Sequence, residues 1–145
     1  MTVYDQEDAI LQVVSIISGL SGIKSAPDYA PEQINGDMFP FAVAYPGTGE
    51  HIVGTLVNNT GERKFLGSIV LEIHVARSDL PTAIQASIGF GDSVPNILLK
   101  NPTLNGRIST FASITQTFGE LDWGDTKTLG YHFVINGVKQ LTTIT

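Results

Sequence analysis

The chain contains no cysteine among its 145 residues, which excludes a disulfide framework, a thiolate metal site and a cysteine nucleophile. Charge is the next scarcity. Asp, Glu, Lys and Arg make up 15% of the sequence, against roughly 25% in typical soluble domains. The apolar share is an ordinary 42%, so an isolated copy would show water an unusually uncharged surface, and the expectation is that other subunits cover part of it. The charge that exists is mostly acidic: 14 carboxylates against 8 bases give a formal net charge of -6. That balance repels phosphate backbones and argues against specific DNA binding. No apolar run approaches the roughly 20 residues that cross a bilayer. The opening "MTVYDQED" is acidic where a secretory signal would be basic, so the expectation is a soluble protein with no membrane partner. The length suits a single domain, residues 1–145, able to bury a core without metals or crosslinks.

What is present is a succession of clear periods. "TVYDQEDAILQVVSIISGLSG" repeats Ile10, Val13, Val14, Ile17 and Leu20 at helical spacing. Thr2 or Asp5 can cap its start, acids suit its first turn, and Gly19 or Gly22 can end it. "MFPFAVAYP" sets Phe39, Phe41, Val43 and Tyr45 against Pro40, Ala42 and Ala44, a strand with one large and one small face. "EHIVGTLVN" and "RKFLGSIVLEIHVAR" read as two more strands joined by a turn at "NNTGE". In the latter, Phe65, Ile69, Leu71, Ile73 and Val75 form the core row, and Leu66, Ser68, Val70, Glu72, His74 and Ala76 the opposite row. "SDLPTAIQASIGF" changes to helical period, capped by Ser78 or Asp79. A break is expected near Gly91, with "DSVPNILLKNP" restarting from Asp92 or Ser93. "RISTFASITQTFG" alternates as a strand with Phe111 on its outward row. "GELDWGDTKTLG" reads as a polar loop, and "YHFVI", "NG", "VKQLTTI" as strand, turn and returning strand, or a strand ending at a bulge. The order α-β-β-β-α-β-β predicts an α+β fold: one antiparallel or mixed sheet of five or six strands with two main helices on one face.

Chemistry is concentrated at Glu72 and His74, two apart on a strand and so pointing the same way, with His132 able to join them from a neighbouring strand. A catalytic metal site asks for three ligands and an oriented outer shell, which one Glu and one unclustered His do not supply. The favoured expectation is that this row, Leu66, Val70, Glu72 and His74, together with Phe111, faces a subunit boundary or a lumen, where polar groups set register. "SGLSGI" and "GFGDSV" lack the spacing of a nucleophile elbow and of a dinucleotide fingerprint, and read as turn glycines. The glycosylation pattern at Asn58 reads as a turn. Asp122 and Asp125, with Glu120, make an acidic surround for Trp123, and such loops are usually solvated. Trp123 either anchors in a partner or lids its own core.

The element order, with "FPFAVAYPGTGE", "IVLEIHVARSDLPTAIQ" and "FGELDWGDTKTLGYHFVI", resembles tail terminator and related neck (head-tail joining) proteins of long-tailed bacteriophages, over nearly the full length. The resemblance rests on architecture and texture, with no catalytic signature. It implies a virion tail subunit assembled in the host cytoplasm, a homo-oligomeric ring, commonly a hexamer, that caps the tail tube and meets the head connector. It implies no enzyme activity and no cofactor, and DNA that passes through without specific binding. Tyr29, Trp123, Asp122 and Asp125, in the stretches Gly22–Asp37 and Gly119–Gly130, are the candidates for touching tube and connector, and the second stretch is expected to be dispensable for folding. Two other readings stay open: a tube or tail-to-head joining protein, and a small α+β ligand-binding protein or enzyme using Glu72 and His74.

Overall fold

The computed structural model describes residues 6–27, 31, 38–57, 60–77 and 80–144. The elements are α1 (Gln6–Ser18), β1 (Phe41–Val57), β2 (Thr60–Ala76), α2 (Leu80–Ile88), α3 (Phe90–Leu99), β3 (Ser113–Trp123) and β4 (Thr126–Ile144). One antiparallel sheet runs in the order β1-β2-β4-β3, so the α+β class and the single sheet stand. The expected caps Thr2, Asp5, Ser78 and Asp79, the turn at Asn58 and the candidate Tyr29 lie outside the described residues.

The described sheet has four strands where five or six are expected, because two places read as strand ends, one of them the Asn136-Gly137 turn or bulge, are bulges inside long strands. "FPFAVAYP" and "EHIVGTLVN" run on as β1, whose pairing with β2 slips between Pro46 and Gly49. "YHFVI" and "VKQLTTI" likewise form one β4, with Asn136 and Gly137 together opposing the single residue Ser68 between Ile135 and Val138. Gly137 has φ +69°, the left-handed conformation that a glycine bulge adopts as readily as a hairpin turn does. Both bulges lie beside Ser68 of β2, so the sheet bends there. Beyond the bend, β1, β2 and β4 continue as a three-stranded arm.

Three further expectations are corrected. "GELDWGDTKTLG" is not a loop but the β3–β4 hairpin, paired down to Trp123 and Thr126; a polar edge hairpin has the composition of a loop. Deleting it would remove strand pairing rather than spare the fold. The helical break falls at Gly89, the N-cap of α3, two residues before the expected position, and the restart, α3, has no side-chain cap from Asp92 or Ser93. Regular pairing of β3 starts at Ser113, because Arg107–Ala112 meets β4 only through bonds such as Ser109 N–H to Lys139 O and Ala112 N–H to Asn136 O.

All three helices pack on one face. Val13, Val14 and Ile17 of α1, Val94 and Leu98 of α3, and Ile69, Leu71, Ile73, Phe133 and Ile135 of the sheet share one core. Each fully buried aliphatic side chain contributes roughly 1.5–3 kcal/mol of transfer free energy, so the α1 stripe holds that helix in place. α1 lies over β1, where the inward side chains are Ala42 and Ala44. The small row of β1 therefore faces the helices, letting α1 approach, and its large row faces the other way.

Candidate functional site

That outward face carries the one cluster of ionisable groups in the described core. Cross-strand pairing sets Phe41 beside His74, Val43 beside Glu72 and Tyr45 beside Val70. Glu72 in turn faces His132 of β4. Spacing places Glu72 and His74 on one row, and the strand order adds His132 as the sequence allowed.

Glu72 sits at the centre. One carboxylate oxygen accepts from His74 Nε2 at 2.8 Å. The other accepts from the Tyr45 hydroxyl and lies 3.3 Å from His132 Nδ1. His74 Nδ1 is 2.6 Å from Thr128 Oγ1. The set is mutually satisfied when Nε2 carries the proton toward Glu72 and Nδ1 accepts from the Thr128 hydroxyl. No buried side-chain nitrogen or oxygen among the described residues lacks a partner, which is the condition under which a buried polar network adds to stability.

Trp123 closes this cluster. Its ring lies edge-on to His74 at 5.8 Å and to Phe41 at 6.2 Å between centroids, and its indole N–H donates to the Pro31 carbonyl at 2.7 Å. Phe41 and Val43 form a small second core here with Met38, Phe39 and Trp123. Trp123 thus lids its own chain. His74 and Thr128 are completely buried beneath it, and Glu72 is 7% exposed. The His132 side chain, 36% exposed, and the half-buried Tyr45 are the members of the cluster that reach water.

Burial by itself would push the Glu72 carboxyl up. Hydrogen bonds from His74 and Tyr45, with the nearby His74 and His132 rings, outweigh that and hold it below the ordinary carboxylate value. The Tyr45 phenol moves the other way, raised by burial and by the carboxylate to which it donates.

Chemically, an acid-base pair has to reach the proton it moves, whereas His74 has both nitrogens engaged and no exposed surface. The space between α1 and the base of the arm, lined by Gln6, Ala9, Ile10, Phe65 and Gln140 among others, measures about 10 Å³, room for about one water. Among the described residues no group of three His, Asp or Glu is placed to hold a metal ion.

The remaining candidates are dispersed. Leu66 is half-buried at the base of the arm and Val70 is buried. Phe111 lies in the main core, since the chain before Ser113 does not follow strand alternation. Asp122 and Asp125 are exposed, Asp122 opposite Lys127 and Asp125 in the hairpin turn. Glu120 pairs with Arg77 at 3.1 Å and Lys127 at 3.5 Å. Sequence reasoning missed Tyr45 and Thr128 as partners. Tyr45 stands in the large row of "FPFAVAYP", and its hydroxyl was the available signal; Thr128 sits in a stretch read as loop and gave none.

The chain matches no protein-family model and no curated protein. No described helix is long and apolar enough to cross a membrane.

Proposed function

We propose that this chain is a structural subunit of a phage tail, forming a ring, a hexamer on the resemblance to tail terminators, that caps the tail tube and joins it to the head connector. The observation that carries this is helix α2, which is inside out. Its buried residues are Ala83 and Ser87, while Leu80, Ile84 and Ile88 are 50%, 38% and 62% exposed. An amphipathic helix on a monomer turns its large aliphatic side chains inward, and α2 carries no charged residue at all. Such a surface is matched to a protein partner. In a ring every copy has side-to-side neighbours that cover such flanks, which also makes the sparse charge tolerable.

The Glu72 cluster supports the same reading, since its carboxylate and His74 are taken up in bonds between strands while Trp123 ties Pro31 and the hairpin to the sheet. The net charge of -6 suits a channel in which DNA phosphates find few cations to displace. Light scattering tests the assembly: a stable multimer, alone or beside tail tubes, is expected. A species that stays monomeric or dimeric in both conditions and binds a small ligand next to Glu72 favours the binder or enzyme reading, which the exposure of His132 beside the carboxylate would then serve.

A further inference from the structure

Asparagine precedes glycine at three places in the chain: Asn35-Gly36, Asn105-Gly106 and Asn136-Gly137. The first lies outside the described residues. In such a pair the asparagine amide is open to attack by the next backbone nitrogen, which glycine leaves unshielded because it has no side chain. The two described pairs share this chemistry and differ in their surroundings.

Asn136 is clamped. Its Nδ2 lies 2.9 Å from Thr115 Oγ1 and 3.3 Å from both Ser113 Oγ and the Val134 carbonyl oxygen, so β3 and its own strand hold the amide. Gly137 is closed in as well: a Cβ there would stand 2.6 Å from that of Ala112. Asn105 is the opposite case. It is exposed in the connection between α3 and β3 and engages Arg107 through its backbone carbonyl at 2.9 Å, with no hydrogen bond on its side-chain amide among the described residues. Nothing lies within 4 Å of where a Gly106 Cβ would be. The Gly106 N–H donates to the Thr103 carbonyl and hydroxyl at 3.0 and 3.2 Å, in a turn open to water, where such bonds break locally without global unfolding. The turn is also strained: Leu104, Asn105 and Gly106 have φ of +48°, +55° and +84°, a region unfavourable for residues that carry a side chain. Rearrangement there relieves strain rather than adding it.

We propose that Asn105 is a site of spontaneous modification, converting to aspartate and isoaspartate in the folded protein while the clamp protects Asn136. The Gly106 nitrogen, its proton taken by base from solvent, bonds to Asn105 Cγ. The Cγ–Nδ2 bond breaks, ammonia leaves, and a cyclic imide closes. Water then opens the ring at either carbonyl, giving aspartate or, with the backbone rerouted through the side chain, isoaspartate. Nothing is oxidised or reduced, and water is the co-reactant. Both products place a new carboxylate in the turn that holds Arg107, and isoaspartate lengthens the backbone between Leu104 and Ile108, which are both anchored in the core. The modification is a property of the single chain and does not depend on the ring.

The purified full chain, folded in one sample and unfolded in urea in another, is incubated in mildly alkaline buffer, and mass spectrometry follows the peptides that carry residues 105 and 136. In the folded sample, residue 105 is expected to gain the acid about tenfold faster than residue 136, because Asn136 must first give up side-chain hydrogen bonds that Asn105 lacks. In urea the two rates are expected to converge. Equal rates in the folded sample, conversion led by residue 136, or no conversion at 105 while the urea sample converts would each overturn the proposal. As a second measurement, Thr115→Val loosens the clamp; with its circular dichroism unchanged, it is expected to speed conversion at 136 and leave 105 as it was. An unchanged rate at 136 in that variant would overturn the protection.

Discussion

Trp123 reaches back 92 positions to donate its indole N–H to the Pro31 carbonyl at 2.7 Å. With its ring against His74 and Phe41, one side chain ties the tip of the β3–β4 hairpin, Pro31 and the buried polar cluster together. Trp123→Phe keeps a ring and loses the hydrogen bond, an expected cost of about 1 kcal/mol. Trp123→Ala uncovers His74 and should cost roughly 2–4 kcal/mol. Urea unfolding followed by circular dichroism measures both, and equal stabilities for the two variants would contradict the lid.

Glu72 is held ionised by donors that exist only in the fold, so its contribution has a definite pH window. Because the folded carboxyl titrates below its ordinary value of 4.5, that contribution is complete above the ordinary value and is lost as pH falls through the lower folded one. Glu72→Gln is expected to lower stability at neutral pH by about 1–3 kcal/mol, with the gap to wild type narrowing as the solution is acidified below the ordinary value. Tyr45→Phe removes one donor to the carboxylate and should move the acid-unfolding midpoint of the protein to higher pH. An unchanged midpoint in Tyr45→Phe contradicts the network.

Gly130 of β4 pairs with His74 of β2. A side chain there would begin well inside van der Waals contact of the Ile73 carbonyl oxygen, which is backbone and cannot rotate away. Gly130→Ala should therefore cost more than about 3 kcal/mol, whereas the same change at Gly119, with nothing within 4 Å of the added carbon, should be nearly neutral. Thermal melting of the two variants separates these outcomes, and similar melting points would contradict the pairing of Gly130 with His74.

Much of this architecture is legible in the sequence. The helical stripe of α1, the two rows of β2 and the large and small faces of "FPFAVAYP" follow directly from period, since period reports which side chains share a face. Strand count does not follow, because Asn136-Gly137 is compatible with both a hairpin turn and a bulge, and only pairing with β2 decides between them. The β3–β4 hairpin was hidden by its polarity: an edge hairpin can satisfy its outward positions with Glu120, Asp122 and Lys127. The cluster was half visible. Spacing aligns Glu72 with His74, but the Tyr45 and Thr128 contacts depend on which strands become neighbours, and that is a long-range property.

A ring that lets DNA slide must not hold it. With a net charge of -6, the protein is expected to leave duplex DNA unretarded in a gel assay at about 0.15 M salt, where surface attraction is screened beyond roughly 8 Å. Tight binding that weakens steeply with added salt, or a ring whose inner wall is lined mainly by lysine and arginine, would contradict passage without binding.

Electron microscopy of the purified protein mixed with tail tubes tests the ring most directly. A closed ring of copies seated on one end of each tube is the expected result. Tubes with bare ends among free single copies, at every protein concentration tried, would contradict it.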